Sequence, residues 1–185
     1  KLHPAMKHAV GPRKEIGIRT LFNILGPLSN PASARHGVLG VFSASLVPVV
    51  AEALANLDVI HYLVVHGGDG LDELTTTTSS SVAEVKNGSV ELTEIHPADL
   101  GLPICKLEDL RGGEPEENAA GLRAILKGKS GPHRDIILLN AAAALVAGQT
   151  VSTLQDGIAK AAETIDSGAA WEKLNALVET SSQFG

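Results

Sequence analysis

The sequence predicts an α/β fold: a central, largely parallel sheet flanked by helices and preceded by short helices of a smaller helical domain. Three observations carry that reading. Residues 1–35 hold short helical patterns separated by Gly-Pro and Asn-Pro breakers. From His36 the pattern becomes strand, amphipathic helix, strand. The last third is helical almost throughout. The chain of 185 residues is long enough to bury a sizeable core, and we expect a division into 1–35 and 36–185.

In the first part, Arg13 to Leu25 carries Ile18, Leu21, Phe22 and Leu25 on one helical stripe. Gly26-Pro27 is expected to stop it. Val38 to Phe42 reads as a strand. Ser45 can cap a helix whose apolar face is Leu46, Val49, Val50, Ala53, Leu54 and Leu57, with Pro48 in the tolerated first turn. Val59 to Val65 is the next strand, which makes a right-handed parallel βαβ unit the natural connection. Asn87-Gly88, set between β-prone runs inside Val82 to Ile95, is a strong hairpin signal.

The helical third begins with Glu116 to Lys127, ended by Gly128. Asp135 to Ala147 is apolar nearly all round and should be buried. Asn140 within it therefore needs a buried partner. Ser152 to Gln155 matches a capping box ahead of Leu154, Ile158, Ala161, Ala162 and Ile165. Trp171, Leu174, Leu177 and Val178 line one face of the last helix, with Trp171 read as core.

The chemistry is concentrated between Tyr62 and Glu73. The apolar run Leu63-Val64-Val65 breaks into His66-Gly67-Gly68-Asp69-Gly70-Leu71-Asp72-Glu73. Strand ends in open α/β sheets are where ligands bind. Like charges packed this closely repel unless a cation or basic ligand offsets them. An oxygen-only set at a strand end suits Mg²⁺, which takes one or two carboxylates and shares its other positions between water and phosphate. A solvated acidic turn is the plainer alternative. Asp69 is expected to shape the turn, and His66 to be a satisfied strand-end histidine. The Thr/Ser run 75–81 reads as a flexible loop, a candidate cover over a ligand.

Composition excludes several classes. The net charge is −6 and the basic residues are scattered, so no nucleic-acid footprint is visible. Aromatics make up 3% of the chain, too few to build a stacking platform for bases. Cys105 is the only cysteine, so no internal disulfide can form, which fits a cytoplasmic protein; it reads as a buried, inert thiol. No apolar stretch reaches membrane-spanning length. Lys1-Leu2-His3-Pro4 leads into no signal-peptide core.

Two long blocks then combine. One is His3-Pro4-Ala5-Met6-Lys7 with Arg13 to Thr20 and Phe22 to Pro31; the other is Val64 to Glu73. In this order they resemble the anthranilate phosphoribosyltransferase family, and Gly112-Gly113 with Glu117-Asn118-Ala119 and Asn140-Ala141-Ala142 also fit. The resemblance implies a fold of the nucleoside phosphorylase/phosphoribosyltransferase type. It implies transfer of phosphoribose from phosphoribosyl pyrophosphate to anthranilate, with release of pyrophosphate, in tryptophan biosynthesis. It implies Mg²⁺ on Asp72 and Glu73, Arg13 on the anthranilate carboxylate, His3 lining the anthranilate channel, and Gly26 and Pro27 packing against the aromatic acid. No protein nucleophile is required. It further implies a homodimer in the intact enzyme.

The family's Gly-Thr-Gly-Gly-Asp turn and Lys-His-Gly-Asn segment do not occur here, and family chains are close to twice this length. The sequence therefore reads as the C-terminal half of such an enzyme, expected to be inactive alone. A pyrimidine nucleoside phosphorylase-like enzyme would share the architecture; His3, Arg13 and the acidic pair favour the transferase. A non-catalytic nucleic-acid-binding relative would need a basic face, which the charge opposes.

Overall fold

The computed structural model describes residues 26, 28, 30 and 32–183. The helical stripe Ile18 to Leu25 lies outside the described residues, as do His3, Arg13, Pro27 and nearly all of the expected first segment. Gly26 and Leu28 are both helical, whereas Asn30 is not. Gly26 itself is therefore in helical conformation. A glycine weakens a helix by about 1 kcal/mol relative to alanine without forbidding it.

Four strands form one mixed sheet in the order β1-β2-β3-β4. They are β1 (His36–Gly40), β2 (His61–Gly67), β3 (Ser80–Lys86) and β4 (Ser89–Ile95). Helix α1 (Leu46–Ala55) joins β1 to β2, which pair in parallel with His36 opposite His61 and Gly40 opposite Val65. The expected βαβ pairing is therefore present. The other two pairs are antiparallel, so among the described strands the parallel part of the sheet is this one unit. Both parallel strands start two residues from their expected positions. Apolar periodicity marks the middle of a strand better than its ends, and here pairing extends through Gly67 at the far end of β2.

β2 is buried along its whole length, which explains a continuous apolar run where a half-exposed strand would alternate. Its side chains sort to two cores. Tyr62 and Val64 meet α1 through Val47, Val50, Ala51 and Leu54. Leu63 and Val65 face the opposite side, with Leu74, Leu102, Leu139, Ala143 and Ala147. Val64 and Val65 are fully excluded from solvent, each contributing roughly 1.5–3 kcal/mol of burial. β3 and β4 meet at Asn87 (φ 49°) and Gly88 (φ 81°), with Lys86 opposite Ser89. Two successive positive φ angles in a two-residue loop match the right-handed strand twist.

The helical layer comprises α2 (Pro115–Leu126), α3 (Pro132–Ala147), α4 (Leu154–Asp166) and α5 (Ala169–Ser182). α2 stops as expected: Gly128 adopts φ 96°, its N–H bonds Ile125 O at 2.8 Å, and Lys129 N bonds Ala124 O at 3.0 Å. That pair of bonds satisfies the orphan carbonyls of the last turn. α3 buries seven of its residues. α4 crosses it closely, because a Cβ on Gly157 would lie 2.8 Å from Ala142 Cα.

Two expectations change here. The cap of α4 is Thr153, one residue later than the capping-box reading, and its hydroxyl oxygen accepts from Asp156 N at 3.1 Å. Trp171 is not core. It is half-buried under the Lys127 ammonium, 4.7 Å from the ring centroid, and Leu177 and Val178 on the same helix are exposed. A helical stripe records a capacity for burial; α5 packs on too few neighbours to use it.

Candidate functional site

The acidic turn begins where β2 ends. Gly67 N donates to Leu71 O at 2.8 Å, Gly70 N donates to Gly67 O at 2.9 Å, and Gly68 N donates to Ser79 O at 2.8 Å. Gly70 sits at φ 95°, a conformation costly for any residue with a Cβ.

Asp69 organises this turn, as expected. One of its oxygens accepts from Leu71 N at 3.1 Å. The other accepts from the hydroxyls of Thr75 (2.5 Å) and Thr77 (2.6 Å). Burial alone would raise its pKa, but the two hydroxyls and the backbone N–H bonds outweigh that and hold the carboxyl below its usual value.

These bonds overturn the reading of 75–81 as a flexible cover. Thr75 and Thr76 are fully buried and Ser80 is nearly so. Thr75 N donates to Ser80 Oγ at 3.0 Å, and Thr76 bonds Cys105 through both backbone and side chain. Hydroxyls that read as solvated in a polar run are instead spent inside the fold. Cys105 is half-buried rather than buried. His66 is satisfied as expected: its Nδ1 donates to Val41 O at 2.7 Å from a buried position.

Asp72 and Glu73 stand exposed between two anchored residues. Neither makes an ion pair among the described residues. Although the Glu73 side chain reaches solvent, protein atoms crowding its carboxyl partly desolvate it and raise its pKa most, and the charges of Asp72 and Asp69 raise it further. Leu74, which follows, is fully buried and held by Asn140 of α3: Leu74 N donates to Oδ1 at 3.0 Å and Nδ2 donates to Leu74 O at 2.8 Å. The expected buried partner of Asn140 is thus the backbone beside the acidic pair.

Among the described residues no group of three or more His, Cys, Asp or Glu could hold a metal by itself. Two exposed carboxylates with no ion pair among the described residues nevertheless fit Mg²⁺, which completes its shell from water and phosphate oxygens rather than from a closed protein cage. Zn²⁺ fits poorly, because among the described residues no sulfur or imidazole forms a ligand group with the pair.

Glu73 lines a cleft of about 460 Å³ with Leu71, Arg111, His133, Ile136 and Ile137. A neighbouring cavity of about 620 Å³ shares Arg111, His133 and Ile137 and extends between α2 and the start of α3. Of the two, only the smaller touches the acidic pair. Beside the larger one, Asn118 bridges the backbone N–H and C=O of Gly113, each at 2.8 Å.

Sequence reasoning missed Arg111 and His133, which carry no motif and reach the cleft only by folding. It also missed Gly40. A Cβ there would overlap the Asp72 carbonyl oxygen, so β1 backs directly onto the acidic pair. Gly26 is described only as partly buried helical backbone, while His3, Arg13 and Pro27 lie outside the described residues.

Known proteins give this geometry a context. Residues 1–171 match the glycosyl transferase family, a/b domain. An anthranilate phosphoribosyltransferase from Acetivibrio thermocellus is 52% identical over 182 residues, covering 98% of this chain and 53% of that protein. The structure of the Thermus thermophilus anthranilate phosphoribosyltransferase superposes with a TM-score of 0.88 at 44% identity, covering 96% of this chain and 52% of that one. The Saccharomyces cerevisiae enzyme in complex with PRPP and Mg gives 0.88 at 32% identity, covering 98% and 52%. The chain therefore spans about half the length of the relatives it matches.

Proposed function

The chain belongs to the glycosyl transferase family through its a/b domain, and from that premise we propose that the whole protein is an anthranilate phosphoribosyltransferase of tryptophan biosynthesis. The reaction forms a bond between the anthranilate amine nitrogen and the anomeric carbon of phosphoribosyl pyrophosphate. The bond from that carbon to pyrophosphate breaks, and the amine gives up a proton. Positive charge develops on the ribose and negative charge on the leaving group, so positioning and electrostatics suffice and no covalent enzyme intermediate is needed.

The structural observation that supports this reading is the Asp72-Glu73 pair: two carboxylates exposed beside a cleft, anchored on both sides, without an ion-pair partner among the described residues. In our reading they hold Mg²⁺, which when bound offsets charge on the departing diphosphate. Arg13 meets the anthranilate carboxylate, where a planar guanidinium can bond both oxygens. His3, Gly26 and Pro27 line the aromatic acid's site. Residues 1–35 belong to the smaller helical domain and 36–185 to the larger α/β domain. The intact enzyme is a cytoplasmic homodimer with small-molecule substrates and no nucleic-acid or membrane partner; among the described residues no helix is long and apolar enough to cross a membrane.

Two assays test this. The 185 residues alone, given both substrates and Mg²⁺, should not turn over, whereas a chain of its relatives' full length should. Robust turnover by the short chain would overturn the reading that these residues are inactive alone. In the long chain, Arg13→Ala should mainly raise the KM for anthranilate. An effect confined to the ribose substrate contradicts the role given to Arg13.

A further inference from the structure

We propose that Asn140 is a positioning residue of the acidic pair: it fixes where Asp72 and Glu73 stand relative to α3 without touching metal or substrate. The proposal rests on the metal reading of that pair and names the part of the fold that sets its geometry.

An asparagine in the apolar stretch Ile136 to Ala147 is costly unless every polar atom is satisfied. Asn140 meets that demand in a particular way. Its Oδ1 accepts from Leu74 N, its Nδ2 donates to Leu74 O, and the same nitrogen donates to Ile136 O at 3.0 Å. One side chain thus pairs with both backbone groups of one residue, which takes an acceptor and a donor on the same planar group.

The residue so held directly follows Glu73. Its own side chain is locked in the core with Leu63, Val65 and Leu139. On the other flank, the Gly67 N bond to Leu71 O and the Asp69 bond to Leu71 N fix the approach to Asp72. Asp72 and Glu73 are therefore the short span between two pinned residues. The helix that pins the downstream end also supplies Ile136 and Ile137 to the cleft that Glu73 lines. Helix, clamp and carboxylate form one unit, so releasing the clamp lets the carboxylate drift from the place where it meets a cation. Partners that orient metal ligands from behind typically matter about 10- to 100-fold in metal affinity.

The test uses a chain with the full length of its relatives, assayed at saturating levels of both substrates while Mg²⁺ is titrated. Asn140→Ala should raise the half-saturating Mg²⁺ concentration about tenfold or more and leave the KM for anthranilate within about twofold. Ile165→Ala, in the α-helical core cluster away from the turn, controls for lost stability: it should lower Tm and leave half-saturation where it was. An Asn140→Ala enzyme that loses Tm but keeps the original Mg²⁺ half-saturation overturns the proposal. Should that variant fail to fold, Asn140→Gln, which keeps the amide but moves it by one methylene, is read in the same way. An unsubstituted enzyme indifferent to Mg²⁺ sinks the metal assignment and this proposal with it, and is told apart because it shows before any change at Asn140.

Discussion

The Thr75 hydroxyl donates to the Asp69 carboxylate across 2.5 Å, and this bond closes the loop that carries the candidate metal pair. Thr77 donates to the same oxygen. Asp69→Ala should lower unfolding stability by about 1–3 kcal/mol, since it strands two hydroxyls and the Leu71 N–H; urea denaturation reads it. The pH dependence has a definite sign. The folded pKa lies below the usual 3.8, so the stabilisation is complete above that value and fades as pH falls through the lowered folded pKa. Asp69→Asn should remove that acid-side slope.

Glu73 works in the opposite direction. Its folded pKa lies above the usual 4.5, through burial first and then the charges of Asp72 and Asp69. An acid raised in this way disfavours the folded state at pH values above its folded pKa, and the penalty is gone below 4.5. In metal-free buffer, Glu73→Gln should therefore raise Tm near neutral pH, with the gain shrinking on acidification. Added Mg²⁺ should stabilise the unsubstituted protein more than the variant. Equal Mg²⁺ responses in a thermal-shift titration would count against Glu73 as a ligand.

The β3–β4 turn offers a test of backbone conformation alone. Gly88 sits at φ 81°, and a Cβ there would make only an ordinary contact, 3.8 Å from Ala55 O. Gly88→Ala should thus cost about 1 kcal/mol from the left-handed backbone rather than from any clash. Equilibrium unfolding measures it, and the Mg²⁺ response should not change.

That turn was legible in the sequence because its determinants are local: Asn87 and Gly88 suffice to specify it. The βαβ pairing was legible for a related reason, since a continuous apolar run and a helical pattern are both local signals, although the buried face of α1 is Val47, Val50, Ala51 and Leu54, and Val49 and Leu57 of the expected stripe are exposed. For Asn140 the need for a partner could be read, but its partner Leu74 lies 66 residues away and is a product of tertiary packing. The threonines at 75–77 misled because composition does not tell whether a hydroxyl meets water or Asp69. Trp171 misled because a stripe on a helix does not reveal what packs against it.

Gly40 left no sequence signal at all, yet it gives the sharpest steric test of the site. It is the last residue of β1, paired with Val65, and it backs onto the Asp72 carbonyl so closely that a methyl group would overlap it. The obstacle is backbone, so no rotamer change relieves it; either β1 or the acidic turn must move. Gly40→Ala should cost about 1–3 kcal/mol or more as an overpacked contact and should raise the half-saturating Mg²⁺ of the full-length enzyme by displacing Asp72. Gly37→Ala separates the two effects. Its Cβ would press on the Tyr62 ring at 2.7 Å, nearer the start of the same strand and away from the turn. Both variants should lose stability in denaturant titrations, but only the substitution at Gly40 should alter metal dependence. Equal Mg²⁺ half-saturation in the two would mean that Asp72 can move without consequence, and the acidic turn would lose its claim to be the metal site.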